Sequence, residues 1–313
     1  MSELEGKVIL VTGAHGFIGK HLAERLSKIA GVRLLLLSRQ ARQSPQENVI
    51  CLQSELALLT PEYWQSNGIN LIDYVFHLGA FIPKTTADAD NIDRSIDDNI
   101  QGTRALLQSL PGGLNKLVFS STIDVYAPLT NGEAVTESSK VAPSTLYGAS
   151  KLLCEKLVIA WAKERGCNYS ILRYGLIYGP GEEQYGKLIP VVIRNLLANQ
   201  TPVIQGDGSA LRDYLYVGDA VEATIRAAII EENIKPVNIV RGESVSLKEI
   251  VQILTQIVGD KQEINFLLDK PNGNSMRFNN GRMMKLFGSW LTTDLEEGLA
   301  AEVDAFRRAE NER

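Results

Sequence analysis

Apolar residues follow two rhythms along the first half of this chain. Short apolar runs occur at residues 7–11 (KVILV), 32–37 (VRLLLL), 48–52, 71–77 (LIDYVFH), 117–120 and 169–173, and each predicts a buried strand. Between them, apolar residues recur at helical spacing. Phe17, Ile18, Leu22 and Leu26 form one such stripe, residues 99–110 another, and the stretch holding Tyr147, Lys151, Glu155 and Val158 a third. Ser144 or Thr145 suits the N-cap of that third helix. Strands alternating with helices predict an α/β fold built on a doubly wound parallel sheet. From Gly175 the pattern changes. Tyr178-Gly179-Pro180-Gly181 and residues 206–209 are turns, residues 188–198, 219–230, 247–258 and 295–306 are helical, and 237–240 is a short strand. The expected organisation is a first domain of residues 1–174 and 212–235, with a smaller C-terminal α/β lobe of 175–211 and 236–313.

The junction of the first strand and first helix carries chemistry. Gly13, Gly16 and Gly19 stand three apart in VTGAHGFIG. Glycines there let the backbone turn tightly and approach a pyrophosphate, and the following helix presents its N–H groups to it. The first domain is therefore expected to bind a dinucleotide. An NAD site usually ends its second strand on a carboxylate that binds the ribose hydroxyls. Here Ser38 and Arg39 occupy that place, with Arg42 three residues on. A hydroxyl and a guanidinium suit a 2′-phosphate, so NADP is favoured over NAD. Ser54-Glu55-Leu56 follow the third strand where the adenine should lie. Leu78-Gly79-Ala80 end the fourth with small residues that let a cofactor pass close. His77 is taken as a packed strand-end residue. Residues 81–95 and 127–143 are polar and read as loops.

Composition narrows the class. Of 313 residues, 44% are apolar and 22% charged, as in ordinary globular proteins. A net charge of −5 offers no basic field for nucleic acid or an anionic membrane. Cys51, Cys154 and Cys167 have no metal-site spacing and are expected as reduced thiols of a cytoplasmic protein. The N-terminus lacks an apolar signal core, and no run is long enough to span a membrane.

Tyr147 and Lys151, four apart on one helix, share a face. A nearby ammonium and a cofactor's positive charge would favour the phenolate, which can then exchange a proton with a sugar hydroxyl or ketone. Thr122, at the end of the fifth strand, suits a hydrogen bond to the same substrate oxygen. With VTGAHGFIG, VFHLGA, DNIQGT, FSSTIDVY, YGASK, LRYGLIYGPG and RDYLYVGD in this order, almost the whole chain resembles the extended short-chain dehydrogenase/reductases. In particular it is similar to their NAD(P)-dependent epimerase/dehydratase family, enzymes acting on nucleotide sugars over a Rossmann fold.

The resemblance implies that Thr122, Tyr147 and Lys151 are catalytic. Lys151 would also bind the nicotinamide ribose, Asn99 would support the central helix, and Arg212 would contact the substrate diphosphate. The expected cofactor site comprises Gly13, His15, Gly16, Phe17, Ile18, Gly19, Ser38, Arg39, Arg42, Glu55, Leu56, Leu78, Gly79, Ala80, Asn99, Ser120, Tyr147, Lys151 and Tyr174. The expected substrate site comprises Lys84, Thr122, Leu176 and Arg212. A homodimer is implied, through helices over residues 91–110 and 145–164 with Leu106, Leu107, Leu152, Leu153 and Leu157 as apolar positions.

Two departures bear on the reaction. Leu176 stands where nucleotide-sugar enzymes often have an asparagine against the diphosphate. Ile123 and Asp124 follow Thr122, where dehydratases carry an acidic pair or a single glutamate. If the backbone is extended there, Thr122 and Asp124 point to one side. The expected function is hydride transfer at a sugar carbon, C4, of a nucleotide sugar, by an epimerase or reductase. Three alternatives stand beside it: a 4,6-dehydratase using Asp124, a reductase of a non-nucleotide carbonyl, and a non-catalytic dinucleotide sensor.

Overall fold

The computed structural model describes residues 2–44, 46–79, 81–83, 86–128, 132–183, 185–259, 263–290 and 293–311. β1 (Val8–Thr12) leads through the glycine turn into α1 (Phe17–Ser27), followed by β2 (Arg33–Ser38), β3 (Val49–Gln53), α2 (Pro61–Ser66) and β4 (Tyr74–His77). The short helices α3 (Thr86–Ala89) and α4 (Ile92–Arg94) precede a π-helical stretch, Ser95–Gln101, which continues into α5 (Gly102–Ser109). Then come β5 (Lys116–Thr122), α6 (Leu146–Arg165), β6 (Asn168–Tyr174), β7 (Leu176–Tyr178) and α7 (Leu188–Leu197). The remainder is β8 (Val203–Gln205), β9 (Leu211–Tyr216), α8 (Val217–Ile229), β10 (Ile234–Ile239), β11 (Ser244–Ser246), α9 (Leu247–Val258), β12 (Asn265–Leu267), α10 (Gly281–Phe287) and α11 (Leu295–Asn311). Among the described residues no helix is long and apolar enough to cross a membrane.

The chain forms two compact units. The first comprises Met1–Pro128, Lys140–Tyr174 and Val221–Val237, the second Leu129–Ser139, Gly175–Ala220 and Asn238–Arg313. The return to the first unit thus begins at Val221 rather than at residue 212. The reason is that β9 hydrogen-bonds to β7 and β11.

The first unit is organised by a seven-stranded sheet in the order β10-β6-β5-β4-β1-β2-β3. Its β1–β2, β2–β3, β1–β4, β4–β5 and β5–β6 pairings are parallel. Strands buried on both faces explain the near-continuous apolar runs of the sequence. The order reverses between β1 and β4, and doubly wound sheets bind ligands outside their carboxyl ends at such a reversal. Leu10, Leu35, Val75, Leu117, Phe119 and Ile171 form the sheet's share of the core. Trp64 of α2 closes it below, with its indole N–H donating to Ser109 Oγ at 3.0 Å.

In α6 the apolar stripe is interrupted by Lys151 and Glu155, both buried. A buried carboxylate must be paired. Glu155 accepts from Arg173 Nε and Nη2 of β6, each at 2.8 Å, and from Ser121 Oγ of β5 at 2.6 Å. The Arg173 guanidinium also lies 4.9 Å from the centre of the Tyr126 ring. The helix begins at Thr145, whose hydroxyl accepts from Gly148 N at 3.0 Å, and ends at Gly166 in the left-handed region.

The second unit packs α7, α9 and α11 around Ile189, Ile193, Ile250, Leu254, Leu299 and Val303. Its sheets are β11-β9-β7 and the parallel pair β12-β8. The strands β7, β8, β11 and β12 have three residues each, too few for an alternating pattern to predict them.

Arg173→Met is expected to strand Glu155 and to destabilise the protein by about 3–5 kcal/mol. The double variant Glu155→Leu with Arg173→Met is expected to recover most of that loss. Urea unfolding of the three proteins checks both statements.

Candidate active site

The carboxyl ends of β1, β2, β4, β5 and β6 carry most of the residues singled out in the sequence. After β1, Gly13 has φ +68°, and a Cβ on it would lie 2.7 Å from Gly79 N at the end of β4. A Cβ on Gly19 would strike the carbonyl of Gly13. The three glycines therefore press the turn against β4 and α1, and Gly16 N–H closes it onto Gly13 O at 2.9 Å. The backbone is bare there, and Gly16 has no side chain to cap α1. This cradle fits a pyrophosphate. Phe17 and Ile18 are half-buried in the first turn of α1.

At the end of β2, Ser38 Oγ donates to Gln40 O at 2.6 Å, and the exposed Arg39 reaches Asp98 at 3.5 Å. Arg42 is exposed and acts on His15, whose pKa is lowered by burial and then by that charge. Glu55 is exposed. Leu56 packs against Gly79 and Gly102, so its role in the protein itself is to fill the space two glycines leave. Leu78 and Gly79 are half-buried, and Ala80 and Lys84 lie outside the described residues.

Below the glycine turn, His77 is fully buried between Thr12 Oγ1 (2.7 Å) and Thr103 Oγ1 (2.9 Å). A hydroxyl on each side lets one ring nitrogen donate and the other accept, as a neutral imidazole requires. Burial, and then the Lys151 charge, push its pKa down to about 3. The partners of His77 were invisible in the sequence because they stand 65 and 26 residues away. Thr12 Oγ1 also accepts from Gly79 N at 3.0 Å, so the imidazole is tied to the strand end that faces the glycine turn.

Asn99 lies in the π-helical stretch. Its Oδ1 accepts from Phe81 N at 2.7 Å, and its Nδ2 donates to Phe81 O at 3.2 Å and to Ser150 Oγ at 2.9 Å. Ser150 Oγ in turn donates to Tyr147 O at 2.8 Å. Asn99 thus joins the segment after β4 to the helix of Tyr147. The wider π-helical turn also leaves the Asn99 carbonyl to accept from Cys154 Sγ at 3.4 Å.

Tyr147, Lys151 and Glu155 form a ladder on α6. Lys151 is buried, with Nζ 4.4 Å from the centre of the Phe119 ring. Burial lowers its pKa to about 8, against the opposing pull of Cys154 and Glu155. The Tyr147 phenol is raised, first by burial and then by the negative charge of Asp124. Both causes disfavour the charged phenolate. In the protein alone the neutral phenol is therefore favoured; the phenolate expected from the sequence also draws on a cofactor's positive charge.

Thr122 ends β5, paired in register with Tyr174 of β6. The backbone does not stay extended beyond it: residues Ile123–Val125 form a 3₁₀ turn, capped by Thr122 Oγ1 accepting from Asp124 N at 3.2 Å. The same-side relation expected of Thr122 and Asp124 is lost, because alternation holds only in a strand. The Asp124 charge nonetheless acts on the Tyr147 phenol. The Asp124 side chain is exposed at the rim, but the protein around its carboxyl partly desolvates it and raises its pKa. A residue the sequence reading passed over is Gly148: a Cβ there would collide with the Asp124 carbonyl, so this glycine lets α6 close onto the Thr122 turn. Its place inside YGASK was the available signal. Ser120 is half-buried on β5. The Tyr174 hydroxyl is engaged with Thr224 Oγ1 at 2.5 Å.

In the second unit, Leu176 and Arg212 come together. With Ile177, Glu182, Lys187 and Tyr214 among their neighbours, they line a cavity of about 250 Å³. Arg212 is braced by Nη1 donating to Leu211 O (2.8 Å) and Asn274 O (2.7 Å).

Fold and motifs together define an NAD(P)-dependent enzyme of the extended short-chain dehydrogenase/reductase type. Residues 9–240 match the model of the NAD dependent epimerase/dehydratase family, and the chain belongs to that family. A UDP-N-acetyl-alpha-D-glucosaminuronate decarboxylase of Bacillus cytotoxicus is 32% identical over 270 residues, covering 82% of each chain. Among solved structures, a UDP-N-acetylglucosamine 4-epimerase from Methanobrevibacter ruminantium in complex with UDP-N-acetylmuramic acid superposes with a TM-score of 0.85 at 25% identity, covering 97% of this chain and 99% of that one. A UDP-glucuronic acid 4-epimerase from Bacillus cereus, in complex with UDP-glucuronic acid and NAD, gives 0.82 at 27% identity, covering 96% and 99%.

Lys151→Met tests the electrostatics without a substrate. The folded-state pKa near 8 lies below the ordinary 10.5, so the native protein gives up this proton before the unfolded chain does. Below pH 8 the buried charge costs stability, and the cost fades as pH rises toward 10.5. The variant is expected to be more stable than the native protein by about 2–3 kcal/mol at pH 7 and to converge with it near pH 10. Chemical denaturation across that range checks the gap and its closing.

Proposed function

We propose that this enzyme inverts or reduces C4 of a UDP-linked hexose by hydride transfer, with Tyr147 as acid/base, Thr122 on the same substrate oxygen and Lys151 as the charge beside them. The observation that carries this reading is the ladder on α6. Tyr147 and Lys151 stand one turn apart, anchored through Glu155 to β5 and β6, and joined by Ser150 and Asn99 to the segment after β4. A bound nicotinamide cofactor supplies the hydride acceptor and the positive charge that the phenol lacks in the protein alone. The rest falls to the chain. Tyr147 takes the C4 hydroxyl proton, or returns it to a ketone, and Lys151 offsets the phenolate. The cavity lined by Leu176, Glu182, Lys187 and Arg212 supports binding of the nucleotide diphosphate: Arg212 and the Glu182-paired Lys187 line it, and an aliphatic wall takes the place of the asparagine. An epimerase needs no further carboxylate. Asp124, with its raised pKa and its charge acting on Tyr147, supports 4,6-dehydration as the second reading.

Tyr147→Phe is expected to lower turnover by about two to four orders of magnitude with cofactor affinity retained. The assay is a panel of UDP-sugars read by mass spectrometry and NMR. Inversion at C4 without mass change supports epimerisation, loss of water supports the dehydratase, and no turnover of any nucleotide sugar overturns both.

The reading extends to NADP over NAD. No carboxylate stands at the end of β2, and Ser38, Arg39 and Arg42 do. Arg39 is engaged with Asp98, but an exposed pair of this kind is worth about 0–1 kcal/mol, less than the roughly 1.5–3 kcal/mol of a charge-assisted contact to phosphate. Arg39→Ala is expected to weaken NADP about tenfold and to leave NAD nearly unchanged. Equal affinity of the native protein for the two cofactors in a calorimetric titration contradicts this.

A homodimer follows from the same reading. Of the apolar positions named from the sequence, Leu106 and Leu107 are buried in the first unit's core, whereas Leu153 is exposed on α6 with Leu146, as are Ile92 on α4 and Ile96 on the π-helical stretch. Light scattering at micromolar concentration is expected to give twice the chain mass, and a monomer mass removes the dimer.

A further inference from the structure

Glu302, on α11, is fully buried, and among the described residues neither of its carboxyl oxygens meets an N–H or hydroxyl donor. What it meets is a second buried carboxyl, Glu182, on the turn after β7. Glu182 in turn holds Lys187 Nζ at 2.7 Å, and the same ammonium donates to Ile177 O at 3.3 Å. Glu182 and Lys187 line the cavity that Arg212 also lines. Among the described residues, the groups acting on Glu302 or acted on by it are Glu182, Glu183 and Lys187 from the segment after β7, and the phenols of Tyr178 on β7 and Tyr214 and Tyr216 on β9.

Two carboxylates sealed from water beside one ammonium do not both stay ionised. One proton resolves the conflict. A carboxylic acid donates to a neighbouring carboxylate through a short charge-assisted hydrogen bond. We propose that Glu302 is a positioning residue for the cavity of the second unit: it carries the proton of the pair and donates it to Glu182, so that a single negative charge keeps the Lys187 ammonium at the cavity wall, beside Arg212, for an anionic ligand. The proposal rests on the nucleotide-sugar reading only in naming that ligand as a nucleotide diphosphate.

The electrostatics agree with the geometry. Burial and the neighbouring carboxyl push Glu302 up to about 9, and Glu182 is raised despite Lys187. The native state therefore keeps a proton that the unfolded chain releases near its ordinary pKa of 4.5. The stability tied to it is complete below that pH and is lost as pH rises through about 9.

The test compares the full chain with Glu302→Gln, which keeps a donor that does not ionise, and Glu302→Leu, which removes the donor. Acetylation of Lys187 is followed by mass spectrometry against the exposed Lys156 in the same molecule. At pH 7, Glu302→Gln is expected to match the native protein within about twofold, and Glu302→Leu to react about fivefold faster. Between pH 7 and 9.5 the native Lys187 profile is expected to depart from that of Lys156, while in Glu302→Gln the two run parallel. UDP, titrated calorimetrically into the same proteins, is expected to bind Glu302→Leu about fivefold more weakly than the other two at pH 7. Lys187 reacting alike in all three proteins at both pH values overturns the proposal, whatever UDP does. If Glu302→Leu does not fold, the pH comparison of the native protein with Glu302→Gln decides alone. If Lys187 follows residue 302 but UDP does not bind the native protein, the positioning role stands and the nucleotide reading falls.

Discussion

The buried ion pair between Glu155 and Arg173 sets the geometry on which the first unit's chemistry depends. Taking both charges out of water costs several kcal/mol per ion, and that cost is offset only by good geometry and further hydrogen bonds. Here it is met by two guanidinium bonds, one serine hydroxyl and the Tyr126 ring. The consequence reaches beyond stability. Residues 147, 151 and 155 stand on one face of α6, so fixing the last against β5 and β6 fixes the rotation of the helix for the other two. Asn99 secures the other end through Ser150, and Gly148 lets that end close on the Thr122 turn. The helix is thus held at two heights, and the reactive side chains lie on the clamped span.

Desolvation is the common force behind the unusual titrations in both units. It lowers His77 and Lys151, which carry positive charge when protonated, and raises Tyr147, Asp124 and Glu302, which carry negative charge when ionised. In the first unit the result is a site in which the charged forms of these groups are disfavoured. In the second, the same force puts one proton between two carboxyl groups. At these residues neighbouring charges modulate the effect without reversing it, whereas at Arg173 the paired Glu155 overturns desolvation and raises the guanidinium. Lys151 remains low despite Glu155, and Glu182 remains high despite Lys187.

Several residues chosen for their resemblance to a motif prove to have work within the protein itself. Leu56 fills the space beside Gly79 and Gly102, the Tyr174 hydroxyl is engaged with Thr224, and Arg39 is held by Asp98. Such residues shape the walls of a site without being committed to a ligand. Arg39 is the most easily redirected of them, because its pair is exposed and weak.

The sequence by itself determined the layering of the first unit, the glycine turn, and the placing of Tyr147 and Lys151 on one helix face. These follow from local rules: strands buried on both faces are apolar throughout, helices repeat every three to four residues, and a left-handed turn residue selects glycine. It also placed α9 at residues 247–258, the bounds found in the structure, because apolar residues recur there at helical spacing. What the sequence left undecided are contacts between residues far apart along the chain. The partners of His77, the clamp of Glu155 by Arg173 and Ser121, the crowding of Gly148 by Asp124, the meeting of Leu176 with Arg212, and the pairing of Glu182 with Glu302 all belong to this class. So does the 3₁₀ turn that breaks the extended path from Thr122 to Asp124. A pKa responds to every atom packed around the group, so the protonation states of the site emerge only when those distant segments meet.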